Sequence, residues 1–399
     1  MTSPEQHVVP FASPAAASGT PYVEQPVAYD GILLAGFGGP EGQDDVIPFL
    51  RNVTRGRGIP DERLEEVAHH YRHFDGVSPI NAQNRALKAS LEAELARRAL
   101  DLPVYWGNRN WAPYLGEAVT DAAAAGHTNL LALATSAYSS FSSCRQYRED
   151  FARVLLETGL EDRVTIDKVR QFFDHPGFVQ PFVDGVRDAV AGFLAEGLEP
   201  EAVRVLFSTH SIPTSDAERS GPREGDPLHR DLGEGGAYAA QHLAVAEAVM
   251  GAVAAEVPGA ERIGWDLVYQ SRSGPPSQPW LEPDVNDVIA ELPAAGVQAV
   301  AIVPVGFMSD HMEVLWDLDT EAMETAEEAG VRAVRTPTPG VDPVFVAGLV
   351  DLVQERLDGT PANARPHVTD LGPWFDVCRP ACCENIRAGF KPAAAGIAP

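Results

Sequence analysis

Short apolar runs alternate along this chain with longer stretches in which apolar positions recur every three or four residues. The runs at 31–36, 104–108, 129–135 and 164–169, and again at 202–208, 265–270, 299–303 and 331–335, have the length and the β-branched and aliphatic content of strands. Most lack the apolar/polar alternation of a half-exposed strand, so they predict parallel strands covered on both faces. Between them, helical spacing predicts helices over 44–51, 61–73, 81–99, 118–126, 174–195, 237–253, 284–295 and 343–357, and another that ends near 157. Strand and helix alternation with short connections gives each half the plan of a four-stranded, doubly wound α/β unit. Two such units leave a cleft between them as the natural site.

The run Ala299 to Val303 is the one around which the chemistry gathers. Pro304 and Gly306 end it, Ser309 and Asp310 suit an N-cap, and a helix beyond them places Asp310, Glu313, Asp317 and Glu321 on one face at steps of three, four and four. A row of like charges destabilises a helix at spacing four, so it calls for solvent, a cation or proton transfer. A solvated stripe meets that need as well; the position favours chemistry, because open α/β sheets place ligands at the carboxyl ends of their strands. His210 stands at the equivalent point, after the run 202–208 in Thr209-His-Ser-Ile-Pro213, where a packing role and a chemical one are both open. The turn Gly36-Phe-Gly-Gly-Pro40 could admit a flat ligand to the backbone or be a tight corner. No Lys-Ser/Thr follows it and no dinucleotide fingerprint is complete, which counts against nucleotide binding. Thr54-Arg-Gly-Arg-Gly58 is a basic patch suited to a surface ion pair or to gripping a carboxylate. His69, His70 and His73 form a histidine-rich helix, either polar surface or a metal site.

Charge narrows the partners. With 399 residues, 45% apolar content and a formal net charge of -27, the chain buries ordinary cores and repels nucleic acid and anionic membranes, while cationic substrates, metal ions among them, suit it. No apolar run reaches membrane-helix length and no secretory signal is present, so a cytoplasmic monomer is expected. The expected organisation is a disordered tail at 1–28, lobes at 29–182 and 183–341, a closing helix at 342–358 and a Pro- and Ala-rich tail at 359–399. That last tail holds Trp374, Phe375 and three of the four cysteines, Cys378, Cys382 and Cys383; the fourth is Cys144. Four is too few for a disulfide framework at this size. Thiolates on a 2Fe-2S cluster or zinc would supply the ordering such a tail lacks; free thiols are the alternative.

Five segments together are specific: Gly36-Phe-Gly-Gly-Pro, Gly76-Val-Ser-Pro-Ile, Phe207-Ser-Thr-His-Ser-Ile-Pro, Tyr269-Gln-Ser-Arg-Ser-Gly-Pro and Pro304-Val-Gly-Phe-Met-Ser-Asp-His-Met-Glu-Val-Leu-Trp-Asp-Leu-Asp. In them the sequence, from Tyr29 to about Leu357, resembles the ferrochelatases, which insert ferrous iron into a porphyrin, and most closely the coproporphyrin-type enzymes of actinobacteria. The resemblance implies two flavodoxin-like (Rossmann-like) lobes of parallel sheet flanked by helices, with a porphyrin cleft between them. It implies Fe2+ and coproporphyrin III as substrates in haem biosynthesis, with protoporphyrin IX as the near alternative. A non-catalytic haem or iron-sulfur sensor and a cobalt or nickel chelatase are the other readings; the joint presence of His210 and Glu313 favours an enzyme. His210 and Glu313 match the family's catalytic, metal-handling pair, and Asp317 and Glu321 match the acidic helix that feeds or exchanges metal. Phe37 stands where some bacterial relatives carry a tyrosine ligand to iron. Phe37, Arg55, Tyr71, Ser78 and Tyr147 align with porphyrin-contacting positions, the Arg and Ser suiting propionates. One internal and three C-terminal cysteines match the cluster-bearing members, although Cys-x-x-x-Cys-Cys departs from the animal spacing. A 2Fe-2S cluster on Cys144, Cys378, Cys382 and Cys383 is the expectation, with zinc as the fallback.

Overall fold

The apolar runs pair as two parallel sheets of four strands each in the computed structural model, which describes residues 20–56, 58–274, 277–385 and 391–396. β1 (Gly31–Gly36), β2 (Val104–Asn108), β3 (Asn129–Ala134) and β4 (Thr165–Lys168) take the order β2-β1-β3-β4. β5 (Val203–His210), β6 (Gly264–Gln270), β7 (Ala299–Val303) and β8 (Arg332–Arg335) take the matching order β6-β5-β7-β8. Every residue of β1 and β7 is buried, as continuous apolar runs require in a sheet covered on both faces. In each sheet the strand order reverses beside the central pair, β1/β3 and β5/β7, and the carboxyl ends there open a crevice.

The lobes are not independent bodies. Ile32, Leu34 and Leu133 from the first sheet and Val205, Phe207 and Val303 from the second belong to one continuous core, joined through the helices Pro176–Ala195, Gly236–Glu256 and Pro343–Asp358. At its centre Tyr138 stacks on His242 with ring centroids 3.6 Å apart and donates to the carbonyl of Val305 at 3.1 Å. The closing helix Pro343–Asp358 returns to the first lobe: Arg356 donates to the carbonyl of Lys168 and to Asp167, and Glu355 pairs with Arg170, which also holds Asp174. These charges are buried, so removing one partner costs roughly 3–5 kcal/mol through the charge left behind.

Both terminal segments depart from expectation. Residues 1–19 lie outside the described residues, but residues 20–28, expected to be disordered with them, are placed: Val23 is only 1% exposed. The peptide N–H of Val23 donates to Asp376 at 2.8 Å, Arg365 bridges the carbonyl of Val23 and the same carboxylate, and Asp376 and Val377 donate to the carbonyl of Pro21. The C-terminal segment, expected to need a metal for order, also seats Trp374 edge-on against Phe173 at 5.8 Å. Neither segment has a hydrophobic period of its own; each packs on the other and on the lobes. Residues 386–390 and 397–399 lie outside the described residues.

Candidate functional site

β5 carries His210 at its last position, in register with Gln270 at the end of β6. β7 delivers the opposing carboxylate. After Val303 the backbone passes so close to β5 that a Cβ on Gly306 would collide with Thr209, and the peptide N–H of Gly306 bonds the carbonyl of Ser208 at 3.2 Å. This approach brings Glu313 over the strand end, with its Oε1 3.4 Å from Nε2 of His210. Nδ1 of His210 contacts the carbonyl of Ser211; a carbonyl only accepts, so Nδ1 carries a proton and Nε2 is the nitrogen turned to the cleft. Burial alone would lower the His210 pKa, but the charge and hydrogen bond of Glu313, with the Ser211 carbonyl and the Asp317 charge, together push the imidazole up to about 9. Burial likewise favours a protonated Glu313, but the charge and hydrogen bond of His210, with the His311 charge, together hold the carboxyl down to about 2. Asp317 goes the other way, raised to about 7 by burial and then by the Glu313 charge.

Two side chains that the sequence reading left without a role secure this arrangement. Gln270 donates to the carbonyl of Glu313 at 2.9 Å and to Asp317 at 3.3 Å, and Ser271 donates to the same Asp317 oxygen. Ser271 does so from a left-handed backbone, φ 62°, which a residue other than glycine adopts only where its surroundings impose it. Their signal was present in Tyr269-Gln-Ser-Arg-Ser, directly after a buried strand.

The carboxylate row differs from expectation at both ends. Asp310 turns away: its carboxylate takes Arg335 and Thr338, and its N–H bonds Gln83. Glu313, Asp317 and Glu321 remain, but Val314–Ala322 is a π-helix, not an α-helix, so four residues fall short of a full turn and the row winds from the cleft floor to exposed Glu321. Such π-turns occur frequently at functional sites.

The first lobe supplies an aromatic wall. Phe37, 38% exposed after β1, meets Phe49 edge-on at 6.4 Å, and Phe49 meets Tyr71 and Trp111. Burial raises the pKa of the Tyr71 hydroxyl, and the charges of Glu313 and Asp317 add to the rise. Ser78 is buried beneath Gly39, and Arg55 is exposed with its guanidinium on Asn52. Tyr147 is placed away from the wall, in the core of the first lobe with the Arg109 guanidinium 3.9 Å over its ring. His69, His70 and His73 surround one indole instead of a cation: His70 stacks on Trp316 at 4.1 Å and the other two meet it edge-on.

The four cysteines, far apart in sequence, converge. The Cys378 thiol contacts those of Cys144 and Cys382, and the Cys382 and Cys383 sulfurs are 3.7 Å apart. All four are buried. Among the described residues no set of three or more His, Cys, Asp or Glu side chains is arranged as a closed metal site, so the thiols stand as a hydrogen-bonded chain. Their surroundings nevertheless suit an anionic thiolate centre. The buried cations Arg148 and Lys168 both interact with the sulfurs, Nη1 of Arg148 has no partner among the described residues, and the N–H of Gly221 donates to the Cys383 sulfur at 3.3 Å.

Two matched parallel-sheet lobes, a base and a carboxylate facing each other at a strand-order switch, and an aromatic wall opposite describe a cleft enzyme for a cation and a flat ligand. The ferrochelatase family matches residues 29–357, and the chain belongs to that family. It is 69% identical to the coproporphyrin III ferrochelatase of Leifsonia xyli, covering 97% of this chain and 99% of that one. It is 55% identical to that of Tropheryma whipplei, covering 93% of each chain, and 53% identical to that of Streptomyces griseus, covering 94% and 98%.

Proposed function

We propose that the protein inserts Fe2+ into coproporphyrin III, giving Fe-coproporphyrin III for haem biosynthesis, in the cleft between lobes at 29–182 and 183–341. The observation that carries this reading is the His210–Glu313 pair, 3.4 Å apart at the switch point of the second sheet. Metallation replaces two pyrrole protons by one Fe2+, so the site must hold a dication and remove two protons. Glu313, ionised at every physiological pH, is the group to take Fe2+ and displace its waters; as the cation arrives, the charge that keeps His210 protonated is neutralised and the imidazole releases its Nε2 proton toward Asp317 and solvent, which frees it as a base. Its Nε2, fixed as the reacting nitrogen by the Nδ1 contact, then accepts the pyrrole protons one after the other. Asp317, poised near neutrality, passes them toward solvent along the winding carboxylate row to Glu321. Phe37 and Tyr71 offer the face on which the macrocycle rests, and Arg55 and Ser78 lie on the same lobe for its propionates. Coproporphyrin III as the porphyrin is supported by the names of the relatives at 53–69% identity. One chain supplies both lobes and both reacting groups, which supports a monomer.

Cys144, Cys378, Cys382 and Cys383 hold a 2Fe-2S cluster. Supporting this are four buried sulfurs and two buried cations, which match the charge of a four-thiolate cluster, and the Gly221 N–H aimed at a sulfur. When bound, the cluster supplies the ordering energy of a cross-link between the tail and the lobes.

Anaerobic assay with Fe2+ and each porphyrin, followed by the absorption change on metallation, tests the substrate: coproporphyrin III should be metallated faster than protoporphyrin IX. Equal rates would remove the substrate assignment, and no metallation of either would remove the enzyme. Porphyrin-free protein should be reddish-brown and Cys144→Ser colourless; colourless wild-type protein with stoichiometric zinc would replace the cluster, and one with four titratable thiols and no metal would refute it.

A further inference from the structure

The cysteine centre and the reacting histidine are joined by a short chain of hydrogen bonds. From His210 the polypeptide runs through Ser211, Ile212 and Pro213 into a single helical turn, Thr214–Ala217, and on to Ser220 and Gly221 before entering the helix Gly236–Glu256. Gly221 has φ 86°, and a Cβ there would meet that of Ala237 at 2.9 Å, so only glycine turns the chain at this point. Its N–H ends on the sulfur of Cys383. The neighbouring hydroxyl of Ser220 accepts the N–H of Tyr238 at 2.8 Å and donates to the carbonyl of Ala217 at 2.5 Å, closing the loop on the helix. The buried Tyr238 then reaches back, its hydroxyl 2.8 Å from the carbonyl of His210 and 2.9 Å from Oγ1 of Thr209.

The proton inventory leaves little freedom. Nδ1 of His242 faces the carbonyl of Tyr238 and must donate, so its Nε2 accepts the proton of Thr209, and the one proton of the Tyr238 hydroxyl goes to the carbonyl of His210. The imidazole of His210 is held by its own carbonyl-side contact to Ser211, so a shift of this backbone turns Nε2 away from Glu313.

We propose that Tyr238 is a positioning residue for His210, and that the cysteine centre acts through Cys383, Gly221 and Ser220 to keep Tyr238 and the 209–221 segment in register. The role of the centre rests on the metal-centre reading given above. It follows that losing the centre weakens insertion while leaving His210 and Glu313 chemically intact.

Hydrogen exchange of the full-length protein tests this. In Cys144→Ser, a change in the first lobe, peptides spanning 209–221 should exchange about threefold or more faster than in wild type, while β1 and β7 keep their rates. Tyr238→Phe should retain the visible absorption and the porphyrin KM but lower kcat about fivefold to tenfold, as one lost hydrogen bond implies, and adding it to Cys144→Ser should cost little more. Unchanged exchange at 209–221 in Cys144→Ser, or wild-type kcat in Tyr238→Phe, would overturn the proposal. Should Cys144→Ser loosen the whole molecule, Ser220→Ala, which removes the hydroxyl joining the segment to Tyr238 without backbone strain, gives the local readout: faster exchange at 209–221 supports the proposal and wild-type exchange overturns it. Wild-type protein without bound metal would refute the role of the centre, while kcat of Tyr238→Phe still decides whether Tyr238 positions His210.

Discussion

Glu313→Gln keeps the shape of the cleft floor and removes one charge, and its effect on His210 follows from the geometry. With Glu313 at 3.4 Å, the imidazole is raised from its usual 6.5 to about 9, although burial pulls it down. Two and a half pKa units correspond to about 3.4 kcal/mol. The two side chains are 31% and 47% exposed, however, so water screens the pair and roughly 1–2 kcal/mol is the realistic coupling. Glu313→Gln should therefore lower the His210 midpoint by about one unit or more, read by NMR titration of the imidazole ring in metal-free, porphyrin-free protein and assigned with His210→Ala. A raised histidine pKa contributes stability below about 6.5 that is lost as pH rises through about 9. The variant should thus be less stable than wild type at pH 6 and nearly equal to it at pH 10. An unmoved His210 midpoint would show that the two side chains do not form the pair on which the mechanism depends.

The carboxylate row should show graded losses of insertion rate: Glu313→Gln falls most, on the order of 100-fold or more, and Asp317→Asn and Glu321→Gln less. The reverse order in steady-state kinetics would move the chemistry outward along the π-helix. Acid should destabilise the fold through two buried histidines. Burial, aided by the Arg170 charge, pushes His175 down to about 3, and burial pushes His242 down to about 3 despite its bond to the carbonyl of Tyr238. The unfolded chain takes up these protons near 6.5, so stability is full above that pH and falls toward 3, by roughly 2 kcal/mol per histidine between pH 6.5 and 5. Urea unfolding at those two pH values checks this, and equal stabilities would contradict it.

How far the sequence was legible depended on the range of the interactions involved. β7, the strand before His210 and the position of Glu313 follow from local period and turn chemistry, which act within a few residues. The repeat of strand orders across the halves follows from the same patterning. Asp310 was misplaced because its partner, Arg335, lies on β8 and outcompetes the N-cap that local reasoning assigned to it. The π-helix was invisible because steps of three and four suit α-helical spacing equally well, and Trp316, inserted among three histidines of the other lobe, packs where no local rule could place it. Residues 20–28 were expected to be disordered because the Val23–Asp376–Arg365 lock that places them joins residues that share no local pattern. Tyr238 lay hidden inside an apolar helix, where an aromatic residue ordinarily signals core.

The central claim is that His210 is the base of a cleft whose porphyrin affinity comes from elsewhere. Its most direct test is His210→Ala, measured for anaerobic iron insertion into coproporphyrin III and, in parallel, for porphyrin binding by fluorescence quenching. The aromatic wall and the other lobe are untouched by the change, so binding should stay near the wild-type value while insertion falls to background. Insertion at a near wild-type rate, with binding intact, would contradict the account.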